Sequence, residues 1–519
     1  GDHRDLHSFP TRRSSDLSAG WPLTVKNINC KARIPLPQAN EIDFADFACN
    51  CEKINSCVFP CFGTKQQELL SGPQRSMKEK TKELGNSNVL FDFYGKRPEM
   101  SQLVPLSLQH VLAAIVGVIT PSMIIAGVCG LTDAEKTMMI QAALIFTALA
   151  TFLQLFPLFH KVGAALPVIM GTSFAYVPTL TAIGGEFGIG AIMGAQIIGG
   201  MVAIVFAIFV KQIRKLFPDI VTGTVIFTIG LSLYPTAIRY MAGGSGHPEF
   251  GGLKNWFIAL LTFAVVLFLN NFTKGVLKLG SLFFGIIVGY VVSLFMGMVD
   301  FTNVMNTTSI IEFPQLMHFK IEFAPAACAS LAIVYAVNAV QTIGDLTSTT
   351  VGGMDRVPTD NELQGGILVQ GVASIVGAFF GALPTASYSQ NVGIVTMNKV
   401  VNRVIFAVSA AVLLIAGLIP GLSAALTTIP QCVIGGATLS VFAQIAMTGV
   451  RLFTKDGMTA RKTTVVGMSV ALGVGITQVS GCLQGPGIPA WTNTVFGSSS
   501  VVVATIMAII LNLTLPPEE

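Results

Sequence analysis

The sequence predicts an all-α polytopic membrane protein whose fourteen transmembrane segments form two inverted repeats of seven. Three observations predict it. The chain is too apolar for a water-soluble protein of its length: of 519 residues, 52% are hydrophobic and only 11% charged, with 52 glycines and a mean hydropathy of +0.68. From Lys96 onward, apolar runs near the length needed to cross a bilayer follow one another, separated by short polar or basic links. A polar segment broken by proline and glycine, Pro384–Lys399 (PTASYSQNVGIVTMNK), lies between the apolar runs Gly371–Leu383 and Val404–Ile419, and it has a counterpart in the first half.

Taken in order, the expected spans are Leu103–Val128, Thr137–Phe156, Pro167–Ile183, Ile189–Phe209, Asp219–Leu233, Trp256–Phe272 and Leu277–Met298, a first repeat over 103–298. The second repeat, 325–513, holds Pro325–Ile343, Gly366–Leu383, the broken Pro384–Asn398, Arg403–Leu418, Pro430–Val450, Thr463–Val479 and Thr494–Leu513. With the start on the inside, the inner links hold fifteen basic residues: Lys96, Arg97, Lys161, Lys211, Arg214, Lys215, Lys274, Lys278, Arg356, Lys399, Arg403, Arg451, Lys455, Arg461 and Lys462. The outer links hold four, Lys136, Arg239, Lys254 and Lys320. That bias puts both termini in the cytoplasm, with 77–102 as a cytoplasmic lead-in, and requires an even number of spans. The net charge of +4 is spread over short loops rather than gathered in one patch, so a nucleic-acid partner is not expected.

Ser387, Ser389, Gln390 and Asn391 fall where the middle of the tenth span would be. Unpaired amide and backbone groups cannot face lipid, so a break of this kind has to line a protein-enclosed cavity. Discontinuous spans near the midplane are where secondary transporters bind their substrates. The third span carries GTSFAYVP (Gly171–Pro178) at the corresponding place, with Ser173-Phe174 set against Ser387-Tyr388. Repeats with an odd number of spans sit in the membrane with opposite topology.

Residues 1–76 do not fit this pattern. They are polar and carry five of the nine cysteines (Cys30, Cys49, Cys51, Cys57, Cys61), and His7–Leu17 (HSFPTRRSSDL) resembles a translated sequencing adapter. The segment reads as a non-native extension, with Met77 as the native start. Its rival reading is a zinc-binding cap, but the Cys-x-Cys-x5-Cys-x3-Cys spacing matches no standard finger. The other four cysteines are scattered and imply no disulfide framework.

The run QNVGIVTMNK (Gln390–Lys399) resembles the signature of the nucleobase/ascorbate transporter family, also called nucleobase:cation symporter 2, the uracil/xanthine permease type. QTIGD (Gln341–Asp345), GTSF (Gly171–Phe174) and Gln109-His110 resemble its eighth, third and first spans, and the likeness covers residues 90–513. The resemblance implies a core domain that holds the ligand, a gate domain beside it, and short strands in spans three and ten that pair at mid-membrane. It implies a secondary transporter in the plasma (inner) membrane that imports a nucleobase by cation symport, and it suggests a homodimer through the gate. Xanthine-type members carry Gln-Asn where uracil-type members carry Glu-Asn, so an oxidised purine such as xanthine or urate is expected, with uracil as the alternative.

The resemblance makes Gln390 the substrate-binding position. Its amide offers an acceptor and two donors to the N–H and C=O edge of a base, though it could also satisfy carbonyls of the broken helix. Tyr388 and Ser389 line the same strand, Phe174 opposite either stacks on the base or simply packs, and Asn391, Ser173 and Gly393 are structural neighbours. Gln341 and Asp345, four residues apart, share one helical face. The family's usual acid at Gln341, and another at Gln370, are amides here, which leaves Asp345 to carry a proton or hold a sodium ion, unless it caps its helix instead. His110 is either a coupling residue or a structural hydrogen-bonder.

No cofactor or metal is expected, and no HExxH, GxSxG or GxxxxGK[ST] run suggests an enzyme or an ATP-driven pump. The rival functions are an anion exchanger of the sulfate or bicarbonate type with the same seven-plus-seven fold, and an intramembrane enzyme.

Overall fold

The first long helix, α1 (Met100–Val128), has 29 residues and carries Pro105 and Pro121 inside it. At 1.5 Å per residue it is roughly 43 Å long, more than the hydrocarbon core requires. The computed structural model describes residues 89–516 except 160, 214–216, 245–247, 480, 490–491 and 498. The expected extension 1–76, its rival zinc cap and Met77 therefore lie outside the described residues.

After α1 come α2 (Asp133–Leu155), strand β1 (Met170–Thr172), a single 3-10 turn (Phe174–Tyr176), α3 (Val177–Phe187), α4 (Ile189–Ile208), α5 (Asp219–Met241), α6 (Leu253–Phe272) and α7 (Ser281–Phe295). Then follow α8 (Pro325–Ser348), prolonged by a π turn to Gly353, α9 (Asp360–Ala378), strand β2 (Thr385–Ser387), α10 (Ser389–Asn398), α11 (Arg403–Leu418), α12 (Pro420–Thr427), α13 (Gln431–Thr454), α14 (Ala460–Gln478) and α15 (Ser500–Thr514). The chain is mostly helical. Among the described residues seven helices, α1, α2, α4, α5, α6, α8 and α13, are long and apolar enough to cross a membrane, and the pair α11 and α12, bent by 81°, makes an eighth if counted as one span.

Several element ends depart from the apolar runs for identifiable reasons. α2 and α9 start four and six residues before the expected Thr137 and Gly366, because each opens on a polar capping box, Thr132 with Glu135 and Thr359 with Glu362. α9 also stops at Ala378 rather than Leu383, and the chain turns at Gly381, whose φ is +79°. α5 passes through Pro235 to Met241 instead of ending at Leu233, so Arg239, counted with an outer link, lies in its last turn. The expected run Leu277–Met298 contains the shorter α7, with Gly297 at φ +68° just past its end. The sequence reading assigned nothing to α12, which Pro420 starts from the position proline tolerates best.

The helices pack in two sets. α4 lies on α8 and α9, while α11 lies on α1 and α2, and α2 touches α9. In the other set α5 runs along α13, with α6 and α7 on one flank and α14 and α15 on the other. Small residues allow the α5–α13 approach: a Cβ on Gly230 would sit 2.6 Å from the Ala446 Cβ, so only glycine lets the two backbones meet.

β1 and β2 pair antiparallel, Met170 opposite Ser387, Gly171 opposite Ala386 and Thr172 opposite Thr385. Their outer edges are covered by hydroxyls from neighbouring helices. The Met170 N–H donates to Thr151 Oγ1 of α2 at 3.1 Å, and the Thr385 N–H to Ser374 Oγ of α9 at 3.1 Å. Every group that the break removes from a helix ladder thus needs, and these find, a partner inside the protein. Gly171 is fixed by the same packing, since a Cβ there would stand 2.5 Å from Thr147 Oγ1 and 3.0 Å from Tyr388 Oη. Gly171→Val is expected to lower stability by about 1–3 kcal/mol through overpacking, read as a lower melting temperature of the purified protein in mild detergent. Wild-type melting would mean that the two strands are not packed this tightly.

Candidate functional site

The two broken segments deliver their side chains to one cavity. After β1, the Ser173 hydroxyl accepts from the Ala175 N–H at 3.2 Å, which turns the chain and sets Phe174 at the wall. After β2, the Tyr388 N–H extends the pairing to Ile169 O at 3.0 Å, the Tyr388 hydroxyl donates to Thr172 O at 2.5 Å, and α10 begins at Ser389. The first turn of α10 directs N–H groups and a partial positive charge at the space in front of it. That space is a cavity of about 190 Å³, walled on this side by Ser173, Phe174, Gln341, Tyr388, Ser389 and Gln390. Ile226 and Ile229 of α5 and Val441, Gln444, Ile445 and Thr448 of α13 form the facing wall. The cavity therefore lies between the two packing sets.

Gln341 and Asp345 project from one face of α8 toward Ser389. Gln341 Nε2 donates to Ser389 Oγ at 3.4 Å, and Ser389 Oγ donates toward Asp345 at 2.8 Å from Oδ1 and 3.0 Å from Oδ2. The Ser387 hydroxyl donates to Asp345 Oδ2 at 2.5 Å. Asp345 is 8% exposed and α8 runs past it, so it is a buried carboxyl held by two hydroxyls and not a helix cap. It forms no ion pair among the described residues. An unpaired carboxylate in such surroundings carries a high desolvation cost and responds strongly to anything that neutralises it.

The other polar residues divide between wall and frame. Gln390 is exposed to the cavity, and no hydrogen bond among the described residues engages its amide. Phe174 is almost fully buried, with its ring edge-on to Phe442 of α13 at 5.2 Å between centroids. Gln370, at the position of a missing family acid, lies away from the cavity wall. Its Nε2 donates to Tyr176 Oη at 2.7 Å and to Asn338 Oδ1 at 3.3 Å, and its Oε1 accepts from Thr342 Oγ1 at 2.9 Å, bracing α8, α9 and the 3-10 turn. Asn391 Nδ2 reaches the Nδ1 and the carbonyl of His110, each at 3.1 Å, and the His110 ring packs on Phe406 at 4.4 Å. His110 is thus held in the frame and does not line the cavity, while Gly393 lies exposed one turn beyond Gln390. Among the described residues no three His, Cys, Asp or Glu side chains converge as a metal site.

Sequence reasoning missed the facing wall. Gln444 and Thr448 are four residues apart on α13, so they share a face, and with Ser440 one turn earlier they form a polar stripe at helical spacing that was the available signal.

The family model described as Permease family matches residues 101–481. The chain belongs to this permease family. As a permease it is a multi-pass membrane transport protein and not an enzyme. It is similar to the xanthine permease of Bacillus subtilis (strain 168), 31% identical over 425 residues that cover 80% of this chain and 94% of that one. Likewise it is similar to the uric acid permease PucK of the same organism, 32% identical over 419 residues covering 79% and 95%. Among solved structures, the transmembrane domain of a cyanobacterium bicarbonate transporter, BicA, matches the permease with a TM-score of 0.51 over 80% of this chain and 98% of that one. At 13% identity that likeness is one of fold alone.

Proposed function

We propose that this permease is a secondary transporter that imports a nucleobase, an oxidised purine such as xanthine or urate, in symport with a cation, the proton before sodium. The observation that carries the reading is the cavity itself, in which the amides of Gln390 and Gln341 converge beside the flat ring of Phe174. An amide can both donate to and accept from the N–H and C=O edge of a base, and Gln390 makes no competing hydrogen bond among the described residues. Relatives named for xanthine and uric acid support the substrate class. None of the residues lining the cavity among those described is basic, which favours a purine over the dianion sulfate. Asp345, one hydrogen bond behind Ser389, is the coupling group in this reading, with no other cofactor.

The reading includes a topology: fourteen spans as seven plus seven, both termini in the cytoplasm, in the plasma (inner) membrane. The set built on α1–α4 and α8–α11 serves as core and the set built on α5, α6, α7, α13, α14 and α15 as gate, with a homodimer formed through the gate. The test is uptake of labelled xanthine in cells stripped of their own permeases, competed with urate, uracil and sulfate. Competition by urate but not by uracil or sulfate is expected. Competition by uracil alone would move the assignment to a uracil permease, and competition by sulfate alone would overturn the nucleobase reading.

A further inference from the structure

Ser389 stands between the coupling carboxyl and the cavity, and its single hydrogen cannot serve both. A hydroxyl has one hydrogen to give and two lone pairs to accept with, an ionised carboxylate only accepts, and a protonated one must donate. In the structure Ser389 Oγ accepts from Gln341 Nε2 and lies within reach of both carboxyl oxygens of Asp345. While Asp345 is ionised, the Ser389 hydrogen is committed to it. When a proton from water forms an O–H bond on Asp345, that group needs an acceptor, and Ser389 Oγ is within reach whichever oxygen carries it. The serine hydrogen then turns away from Asp345 toward the cavity that Ser389 lines. No bond of the serine breaks, since only its C–O torsion changes.

We propose that Ser389 is a positioning residue that turns protonation of Asp345 into a hydrogen-bond donor aimed at an acceptor atom of the ligand, a carbonyl or ring nitrogen of a base. This rests on the nucleobase and proton reading given above. Ser387 touches the same carboxyl and also lines the cavity, but a displaced Ser387 hydrogen has a second acceptor inside the protein, Thr342 Oγ1 at 3.4 Å, which leads into the buried Gln370 network, whereas the Ser389 hydroxyl donates to no second protein acceptor among the described residues. The ionisable groups on the elements around Asp345 are engaged elsewhere. Tyr388 donates to Thr172 O, Tyr176 pairs with Gln370, His110 pairs with Asn391, and on α9 Glu362 pairs with Arg356. Tyr335, on α8 itself, packs against the Tyr176 ring, and beyond the end of α8 Asp355 pairs with Lys399. None of them hydrogen-bonds or ion-pairs with the carboxyl.

The test is equilibrium binding of labelled xanthine to the purified full-length protein from mildly acid to mildly alkaline pH. Wild-type affinity is expected to fall as pH rises, by up to about tenfold per pH unit, the limit for one coupled proton. Ser389→Ala should bind at most about tenfold more weakly at low pH, the loss of one hydrogen bond, and its pH dependence should be flattened. Ser389→Thr, which keeps the hydroxyl, should regain the slope, and Ser387→Ala should keep it. A wild-type slope in Ser389→Ala, or a flat profile in Ser387→Ala alone, would overturn the proposal. If neither xanthine nor urate binds at any pH, the nucleobase reading fails, and the relay is then decided without ligand. The infrared C=O band of protonated Asp345, assigned by its loss in Asp345→Asn, should move in Ser389→Ala. A band that stays put would mean that Ser389 takes no hydrogen from Asp345.

Discussion

Asp345→Asn is expected to abolish accumulation of substrate against its gradient while leaving binding and downhill exchange in place. Two serine hydroxyls donate to this carboxyl and, among the described residues, no cation pairs with it, so its charge state is set by burial against those two hydrogen bonds. A group that changes charge during the cycle links ion and substrate because each alters the affinity of the other by the same factor. An amide keeps the shape and one acceptor but cannot take up or release a proton at any working pH. The check is the steady-state ratio of labelled xanthine inside and outside cells, set beside counterflow in liposomes. The ratio should fall to about one, the value for passive equilibration, while counterflow persists. Continued accumulation by the variant would move coupling to another group. In the wild type, collapse of accumulation by an uncoupler marks a proton, and collapse on sodium removal marks sodium.

Gln390→Ala is expected to weaken apparent affinity by about 1–3 kcal/mol, roughly 5- to 150-fold, as befits loss of hydrogen bonds in a site shielded from water. Its amide has no partner among the described residues, so truncation removes ligand contacts without stranding a protein donor or acceptor. The folded protein should therefore melt as the wild type does, which separates this variant from one that damages the frame. Concentration dependence of initial uptake, with melting as the control, measures both. Unchanged affinity would remove Gln390 from the site.

Those two residues were legible in the sequence for different reasons. Asp345 is a lone acid in an apolar run, and its spacing of four from Gln341 already places both on one helical face, where in the structure both reach Ser389. Gln390 lies in a polar break that no lipid-facing helix could tolerate. Gln370 was less informative. Read as a substitute for a missing acid, it could not be known to point into a closed network with Tyr176 and Thr342, because that depends on how α9 is rotated against α8. The facing wall was harder still, since Gln444 and Thr448 belong to a span that shares no motif with the broken ones and meet them only through packing. Helix starts were misjudged where a polar cap opens an apolar helix, as at Thr132 and Thr359, because hydropathy registers the core-facing residues and passes over the turn that anchors them.

The pairing of β1 with β2 also has a consequence for how the protein is made. The hydrogen bond from Tyr388 to Thr172 closes over 216 residues of chain. At a synthesis rate of about 5–20 residues per second, β1 leaves the ribosome roughly 10–40 s before its partner strand exists. For that interval the Thr151 hydroxyl of α2 covers only the outer edge of β1, and the edge that will pair with β2 stays open. An uncovered backbone group in hydrocarbon costs several kcal/mol, so the first half of the chain has to wait in the insertion machinery, or behind its own helices, until the second half emerges. Expressed alone, either half is then a natural client for quality control and degradation, and the two halves should be rescued only when they are produced together.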